Sequence, residues 1–584
     1  MAYKGKVLRV DLSTGKAETE PLNAQWAREY LGGKGLSIKY LYEELAPGTD
    51  PLSDSNKLIL MTGPATGTIV PNTGKLAIAA KSPATGTILD CSIGGHFAPE
   101  LKYAGYDAVI IEGKAKIPVY LFIEDDKIEL RSAAGLWGKG AHETEHLIND
   151  TLGDVITMAI GQAGENLLPM ACISSELYRQ AGRGGIGAVM GSKNLKAISV
   201  RGTGGVKSPN IRKLAAALNK IKREDTMTDD NMWTYTDGTP MIVDLSQTAG
   251  ILPTRNFQEG TFDEYKKVNS DAVKEVLKSK KACFACPLGC GNYVKKGSTM
   301  VEGPEYETLA LCSSNCGISD LEAVIEFNRL CDDYCLDTIS AGNTVAFAME
   351  MTEKGKHDFG ITFGDVEKYL QMPKLMAMKE GIGAELSQGV NALADKYGGK
   401  EFAMSVKKLE IPGYEPRGSW AMGLAYGTSD RGACHMRAWP AAVEAFGDID
   451  PFTIEGKAKL VIDMQDDNSV KFSAIFCDFW ALSTERMAEI ISLLLEREIT
   501  AAEMTKIGER VYNLARLFNE REGFDRKDDY LPERIYNEKL KTGATEGRLL
   551  PREDYEKMLS EYYKIRGWDE DGKITPARKK ELNL

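Results

Sequence analysis

The sequence predicts an α+β protein, with a β-rich part over residues 1–205 followed by two mostly helical parts, 206–405 and 406–584. Three observations carry this. Short strand-like runs separated by glycine-rich loops fill the first third. Gly202-Thr203-Gly204-Gly205 then breaks the chain ahead of Ser208-Pro209 and a helical pattern. Beyond it, capping signals open amphipathic segments. Taken in order, residues 6–12 and 17–22 flank Ser13-Thr14-Gly15-Lys16, a turn-forming set, and form a hairpin. Residues 57–62, 75–80, 108–112, 119–123, 127–130 and 197–201 are the other expected strands. Pro64-Ala65-Thr66-Gly67-Thr68 recurs as Pro83-Ala84-Thr85-Gly86-Thr87 near strand ends; two copies mark duplicated turns, too few for a repeat protein. Ser319-Asp320-Leu321-Glu322 reads as a capping box before Leu321, Val324, Ile325, Cys331 and Tyr334 at helical spacing. Thr500-Ala501-Ala502-Glu503 is a second one, opening a helix with Met504, Ile507, Val511, Leu514, Ala515 and Phe518 on one face and Gly523 to end it. The second boundary is placed near residue 405.

At 584 residues the chain is long for one core, and ordinary domain sizes predict about three or four units. A composition of 43% hydrophobic and 27% charged residues is that of a soluble globular protein. The net charge of −12 argues against a nucleic-acid partner, which needs clustered Lys and Arg. No apolar run reaches the length of a membrane-spanning helix. Met1-Ala2-Tyr3-Lys4-Gly5-Lys6 runs straight into Val7-Leu8-Arg9-Val10, a strand rather than the apolar region of a secretory signal. Eleven cysteines are sparse for this length, so a cytoplasmic, reduced protein is expected.

Cys283-Phe284-Ala285-Cys286-Pro287-Leu288-Gly289-Cys290 is the strongest chemical signal. Three thiols so close together suit an iron–sulfur cluster, whose irons are held by cysteine thiolates. Zinc is the alternative, although a second CxxC and a nearby histidine are both missing. A radical-SAM site needs the opposite order, CxxxCxxC. Two glycine loops, Gly94-Gly95-His96-Phe97-Ala98-Pro99-Glu100-Leu101-Lys102 and Arg179-Gln180-Ala181-Gly182-Arg183-Gly184-Gly185-Ile186-Gly187, let backbone approach a ligand. The second adds arginine forks suited to phosphate; sharp turns between packed elements explain either loop equally well. Neither is a Walker loop or a dinucleotide fingerprint. Of the five histidines, His142 and His146 share a helix face in Ala141-His142-Glu143-Thr144-Glu145-His146, which reads as a solvated face. His435 lies in a small-residue loop, Ser429-Asp430-Arg431-Gly432-Ala433-Cys434-His435-Met436-Arg437. Glu302, Glu305 and Glu307 follow the cysteines and offer either a general base or a charged turn.

Together the cysteine triplet, Pro304-Glu305-Tyr306-Glu307-Thr308, Leu336-Asp337-Thr338-Ile339-Ser340, Arg431-Gly432-Ala433-Cys434-His435, both glycine loops, Arg183-Gly184-Gly185-Ile186-Gly187-Ala188-Val189-Met190-Gly191 and, near the end, Phe518-Asn519-Glu520-Arg521-Glu522-Gly523-Phe524 resemble the tungsten-dependent aldehyde:ferredoxin oxidoreductase family, in order and over nearly the whole chain. The resemblance implies a β saddle carrying a tungsten (or molybdenum) bis-pterin, a [4Fe-4S] cluster beside it, Mg²⁺ bridging the pterin phosphates, and two helical domains closing over them. It places the fourth cluster ligand on Cys477, within Phe476-Cys477-Asp478-Phe479, and the metal-facing carboxylate and histidine on Glu307 and His435. Cofactor contacts fall on Lys75, Ser92, Gly94, Gly95, Arg179, Ala181, Gly182, Arg183, Gly184, Asp337, Thr338, Ile339, Ser340 and Phe476. The chain also departs from the family. Phe472 stands where a second pterin-binding aspartate is common, with Asp466, Asp467 or Asp478 as candidates to compensate. Ser92 replaces an asparagine whose backbone helps coordinate the magnesium, and its carbonyl is still on offer. Lys75 replaces an arginine, keeping the charge and losing the fork.

The expected activity is oxidation of an aldehyde to the carboxylic acid, with Glu307 as general base and His435 donating a hydrogen bond or proton to the carbonyl oxygen. Electrons would leave through the cluster to a ferredoxin or an iron–sulfur partner subunit. Assembly as a homo- or hetero-oligomer stays open. Two rivals stand beside this reading. One is ring reduction of the benzoyl-CoA reductase type, a branch that the resemblance gives a cysteine near the position of Glu307. The other is an electron-transfer subunit with no substrate of its own, for which a 200-residue β platform with cationic glycine loops has no use.

Overall fold

The computed structural model describes residues 2–297 and 299–584. Met1, the first residue of the segment expected to lead into a strand, lies outside them, as does Ser298. The strands of the first third are β1 (Lys6–Asp11), β2 (Lys16–Pro21), β3 (Leu58–Met61), β4 (Leu76–Lys81), β5 (Ile88–Ile93), β6 (Ala108–Glu112), β7 (Val119–Glu124), β8 (Lys127–Ser132), β9 (Ile156–Ala159), β10 (Ile173–Ser175), β11 (Arg179–Ala181) and β12 (Leu195–Arg201). They form two six-stranded sheets, ordered β2-β1-β6-β3-β4-β5 and β11-β10-β9-β12-β7-β8. β1 and β2 pair as the expected antiparallel hairpin, Val7 opposite Glu20. β1–β6 and β7–β12 are the parallel pairs.

Period-two alternation explains how the first sheet is buried on both faces. Leu8, Leu58, Leu60, Leu76 and Ile78 point at the second sheet and pack with Leu121, Ile123 and Ile198. Val7, Ile59, Met61, Ala77 and Ala79 point the other way, into a core shared with the helices Ile211–Ile221, Thr484–Leu495 and Ala501–Arg521. Here the helix Gly33–Glu44 also packs, and a Cβ on Gly33 would come within 2.0 Å of the Phe472 carbonyl oxygen. The last third of the chain thus helps to form the core beneath the first. A separate large core runs from Ala163 to Ile574 without a break near residue 405.

The expected strands are all present within a few residues. Those not anticipated carry weak signals: β10 and β11 have three residues each, and β5 includes the buried Asp90. The middle third is less purely helical than expected. Strands Leu277–Lys281, Gly291–Lys296 and Thr299–Glu302 make a small sheet, and its first turn is the cysteine loop. At the first capping signal the cap is Asp320, whose side chain accepts from Ala323 N at 3.2 Å, while Ser319 donates to Glu264 instead. At the second, Thr500 accepts from Glu503 N at 3.1 Å, and the helix ends at Arg521, before Gly523 at φ +94°.

Candidate functional site

The cysteine loop is seated by glycines. Phe284 N donates to Gly95 O at 3.1 Å and Cys286 N to Cys283 O at 3.1 Å. A Cβ on Gly94 would lie 2.8 Å from Cys283 Sγ, and one on Gly74 would lie 2.6 Å from Gly95 O. Only glycine lets the β platform come this close. Cys477 arrives from the far end of the chain, just past the helix Lys457–Ala474, and its N–H donates to Asn72 O at 3.0 Å. Its sulfur is within electrostatic reach of Cys283, Cys286 and Cys290. Burial pushes the Cys477 thiol up to about 12, against the pull of Lys75, and raises Cys286 and Cys290 as well. Metal must therefore displace protons to bind here.

Among the described residues no three His, Cys, Asp or Glu side chains converge on a point where a single metal ion would sit. A cubane takes one thiolate per iron at separated corners, whereas zinc draws its ligands to a single point. The buried Arg179 guanidinium strengthens the fit. Its Nε and Nη2 have no hydrogen-bond partner among the described residues, and although burial opposes the charge, Cys283 and Cys290 hold its pKa above the ordinary arginine value. Arg179, at the start of the glycine loop expected to hold phosphate, thus faces the Cys283 and Cys290 thiols. A cavity of about 500 Å³ opens beside Cys283, Cys286 and Pro287.

Lys75 ion-pairs with Asp478 and lies 5.9 Å above the Phe472 ring. Burial opposes its charge, but Asp478 and Cys477 outweigh that and raise its pKa. Of the other candidates to compensate for Phe472, Asp466 is taken up by Arg566 at 2.6 Å and Asp467 accepts from Thr484 at 2.9 Å. No carboxylate among the three is free.

Asp337 caps the helix Thr338–Glu353, accepting from Ile339 N at 3.0 Å. Ser340 Oγ stands 2.8 Å from Asp337 Oδ2 and 2.7 Å from Glu410 Oε2, and can donate to one at a time. Thr338 Oγ1 accepts from Thr308 at 3.0 Å. Arg183 spends its guanidinium on the protein: Nε on Asp337 at 3.2 Å, Nη1 on Ala433 O and Nη2 on Glu410 O, both at 2.6 Å. It locks the glycine loop to both the Asp337 turn and the His435 loop. Within that glycine loop Gly184 is a packing glycine, with Leu89 Cδ1 2.6 Å from its notional Cβ, whereas Gly182 faces open space. Ala181 is buried in β11, Ser92 lies opposite Ala77 in the first sheet, and Phe476 is fully buried in the core against Trp480.

Glu307 and His435, 128 positions apart in the sequence, are brought together with His435 Nδ1 3.4 Å from Glu307 Oε1. The approach is too oblique for a hydrogen bond, and neither atom has a partner among the described residues. Each side chain keeps a little access, 15% for Glu307 and 18% for His435. Burial pushes the Glu307 carboxyl up to about 8, helped by Asp337 and Cys434 and opposed by Gly413 N–H, which donates to Oε2 at 2.8 Å, and by Arg183. Burial likewise pushes His435 down to about 3, reinforced by Arg183 and Arg431. Of the other two glutamates, Glu302 is buried and Glu305 accepts from Thr239.

Beneath the His435 loop lies a buried ion network. Lys34 Nζ meets Asp90 at 2.7 Å and Asp430 at 2.5 Å, while Arg437 bonds both carboxylates, reaching Asp430 at 2.7 Å. Arg431 donates to Asp90 O at 2.8 Å and to Cys434 Sγ at 3.1 Å. Paired with two cations, the Asp430 carboxyl stays well below its ordinary range despite burial. Sequence reasoning missed Lys34, Asp90, Gly413 and Tyr414, whose ring centroid is 5.7 Å from that of His435. Gly32-Gly33-Lys34-Gly35 and Pro412-Gly413-Tyr414 were the available signals. His146 is solvent-exposed as expected; His142 packs near Asp333, 4.0 Å away. His96 Nδ1 is 2.7 Å from Glu176 Oε2, and its hydrogen bond with that carboxylate raises its pKa.

Comparison with known proteins identifies the family. Residues 7–202 match the family described as aldehyde ferredoxin oxidoreductase, N-terminal domain, and residues 213–584 match aldehyde ferredoxin oxidoreductase, domains 2 & 3. The tungsten-containing aldehyde ferredoxin oxidoreductase of Pyrococcus horikoshii is 41% identical, covering 100% of this chain and 99% of its own. The WOR-like subunit of the aliphatic sulfonate oxidoreductase of Pyrococcus furiosus is 32% identical, over 98% and 95%. Among solved structures, the active-site complex BamBC of benzoyl coenzyme A reductase with 1,5-dienoyl-CoA superposes with a TM-score of 0.86 at 25% identity, over 100% of this chain and 97% of that one. No helix among the described residues is long and apolar enough to cross a membrane. By sequence over its full length and by fold, the chain belongs to the aldehyde ferredoxin oxidoreductase family.

Proposed function

We propose that this protein oxidises an aldehyde to the carboxylic acid and passes the electrons to a ferredoxin or an iron–sulfur partner subunit. The observation that carries the reading is the pairing of Glu307 with His435, each partly accessible, with two unpartnered buried atoms 3.4 Å apart. A tungsten bis-pterin, when bound, accepts the two electrons of the oxidation, and a [4Fe-4S] cluster on Cys283, Cys286, Cys290 and Cys477 relays them singly. The pterins would be held by Asp337, Thr338, Ile339 and Ser340, by backbone at Gly94, Gly95, Ala181, Gly182 and Gly184, and by Lys75, with Arg183 bracing their seat. The Ser92 carbonyl is the candidate contact for Mg²⁺ between the pterin phosphates. Residues 1–205 serve as the platform, and 206–405 and 406–584 close over it.

Glu307 takes a proton from water or substrate. With its carboxyl at about 8, about a tenth of it is ionised at pH 7, so its readiness as a base rises with pH up to that value. His435, held at about 3, is neutral under any working condition. It polarises the carbonyl by donating an imidazole N–H hydrogen bond and not by giving up an imidazolium proton. Eleven cysteines with no disulfide among them support a reducing, cytoplasmic setting for the reaction. Glu307 favours aldehyde chemistry over the benzoyl-CoA branch. Anaerobically purified protein analysed for tungsten and iron, then assayed with a panel of aldehydes and a redox dye, tests the proposal. Metal-loaded protein inactive on every aldehyde but active on an aromatic thioester rejects it, and iron without tungsten supports the electron-carrier rival instead.

A further inference from the structure

The cavity at the cysteine loop has a different character from the Glu307–His435 pair. Its lining includes Ile69, Pro71, Lys222, Cys286 and Pro287, and three large apolar side chains around it are solvent-exposed. Ile69 is 44% exposed on the lining itself. Tyr235, 51% exposed, lies 3.4 Å from a notional Cβ on Gly289. Met227, 42% exposed, follows the lining residue Thr226.

One side of the cavity is formed by the end of the helix Ile211–Ile221 and the turn after it. This segment carries Arg212, Lys213, Lys220, Lys222 and Arg223, all exposed, and none of them makes an ion pair with an acid among the described residues. The next two acids, Glu224 and Asp225, share one cation, Arg486, at 2.7 and 3.1 Å, and Asp229 and Asp230 come after Met227. On a chain of net charge −12, an unpaired basic ridge beside the cluster thiols runs against the general field. A patch of this kind attracts a negatively charged partner to one place and repels it elsewhere.

We infer that the rim formed by Ile69, Met227, Tyr235, Lys220, Lys222 and Arg223 is the docking surface for an acidic iron–sulfur electron carrier of ferredoxin type. The inference rests on the reading that residues 283–290 and Cys477 hold a cluster. Apolar contacts at the centre and basic groups at the edge match the small, transient interfaces of electron-transfer partners. Each encounter oxidises the cluster on this chain by one electron and reduces the carrier's cluster by one. Two encounters clear the two electrons of one aldehyde, and the protons leave separately at the substrate site.

The test uses the metal-loaded full-length protein and two triple variants, K220E/K222E/R223E and K220Q/K222Q/R223Q, none of these residues being a ligand or a substrate contact. Aldehyde oxidation is followed with an acidic bacterial ferredoxin as acceptor and, in parallel, with a small uncharged redox dye. The charge-reversed protein is expected to raise the KM for ferredoxin by about tenfold or more at low salt, and the neutral variant by less. Both effects should shrink as salt is raised, while the dye-coupled rate and the KM for aldehyde stay at the wild-type values. A ferredoxin KM equal to the wild type's in both variants overturns the docking surface. Failure of the functional reading shows separately, as a metal-loaded wild type with no dye-coupled oxidation of aldehyde.

Discussion

Replacing Glu307 by Gln separates catalysis from stability in one residue. The amide keeps an oxygen to accept from Gly413 N–H, now 2.8 Å from Oε2, so the local backbone should hold. What disappears is an ionisable group whose folded-state value is about 8 against an ordinary 4.5. For a carboxyl raised in this way, the folded protein binds the proton more tightly than the unfolded chain. Stability is therefore lost as pH rises from about 4.5 to about 8 and is level above that. The full span corresponds to an upper bound of about 5 kcal/mol. E307Q removes the cost. Relative to wild type it should be equally stable near pH 4, and more stable by some kcal/mol at pH 9, as read by denaturant unfolding at both values. Turnover should fall by about 10²–10⁴, the usual worth of a positioned base, with tungsten, pterin and iron content unchanged. In the wild type kcat should climb toward about pH 8, and that limb should vanish in the variant. Full activity in metal-loaded E307Q, or a stability difference independent of pH, would refute the reasoning.

Other perturbations follow from the same geometry. Cys477→Ser should lower iron content and change the EPR signal of the reduced cluster while the far-ultraviolet CD is kept; an unchanged cluster removes Cys477 as the fourth ligand. His435→Phe should lower kcat by about 10²–10³, and because the wild-type imidazole sits near 3, wild-type activity should show no limb between pH 5 and 7 that the variant lacks. Lys34→Met leaves Asp90 and Asp430 with Arg437 alone and should cost about 3–5 kcal/mol, measured by denaturant unfolding; a loss under 1 kcal/mol would show the network to be dispensable.

Much of this architecture was legible in the residues. The hairpin at Ser13-Thr14-Gly15-Lys16 and the Thr500 cap follow from local rules of turn and cap chemistry, and both appear as expected. β10 and β11 did not, since three-residue strands are too short for alternation to register. The shared core of β1–β6 with the helix Ala501–Arg521 was also out of reach, because nothing local pairs Gly33 with Phe472. At the site, the cysteine spacing and the motif order pointed to segments that the fold brings close together, yet the part each side chain plays is a matter of three dimensions. Arg179 and Arg183 come from one glycine loop and looked equivalent. One keeps two nitrogens without a hydrogen bond among the described residues, beside the thiols, and the other is consumed in bracing two loops. Burial, which no single sequence displays, is what raises the Glu307 carboxyl to about 8 and lowers His435 to about 3.

The central claim is that this chain carries out a two-electron oxidation of an aldehyde at the Glu307–His435 site. Product stoichiometry tests it most directly: anaerobically purified, metal-loaded protein is given an aldehyde and a one-electron dye, and acid formed is counted against dye reduced. The account predicts one carboxylic acid for every two dye equivalents in the wild type and almost none in E307Q. Dye reduction without acid, or acid formed equally well by E307Q, would contradict it.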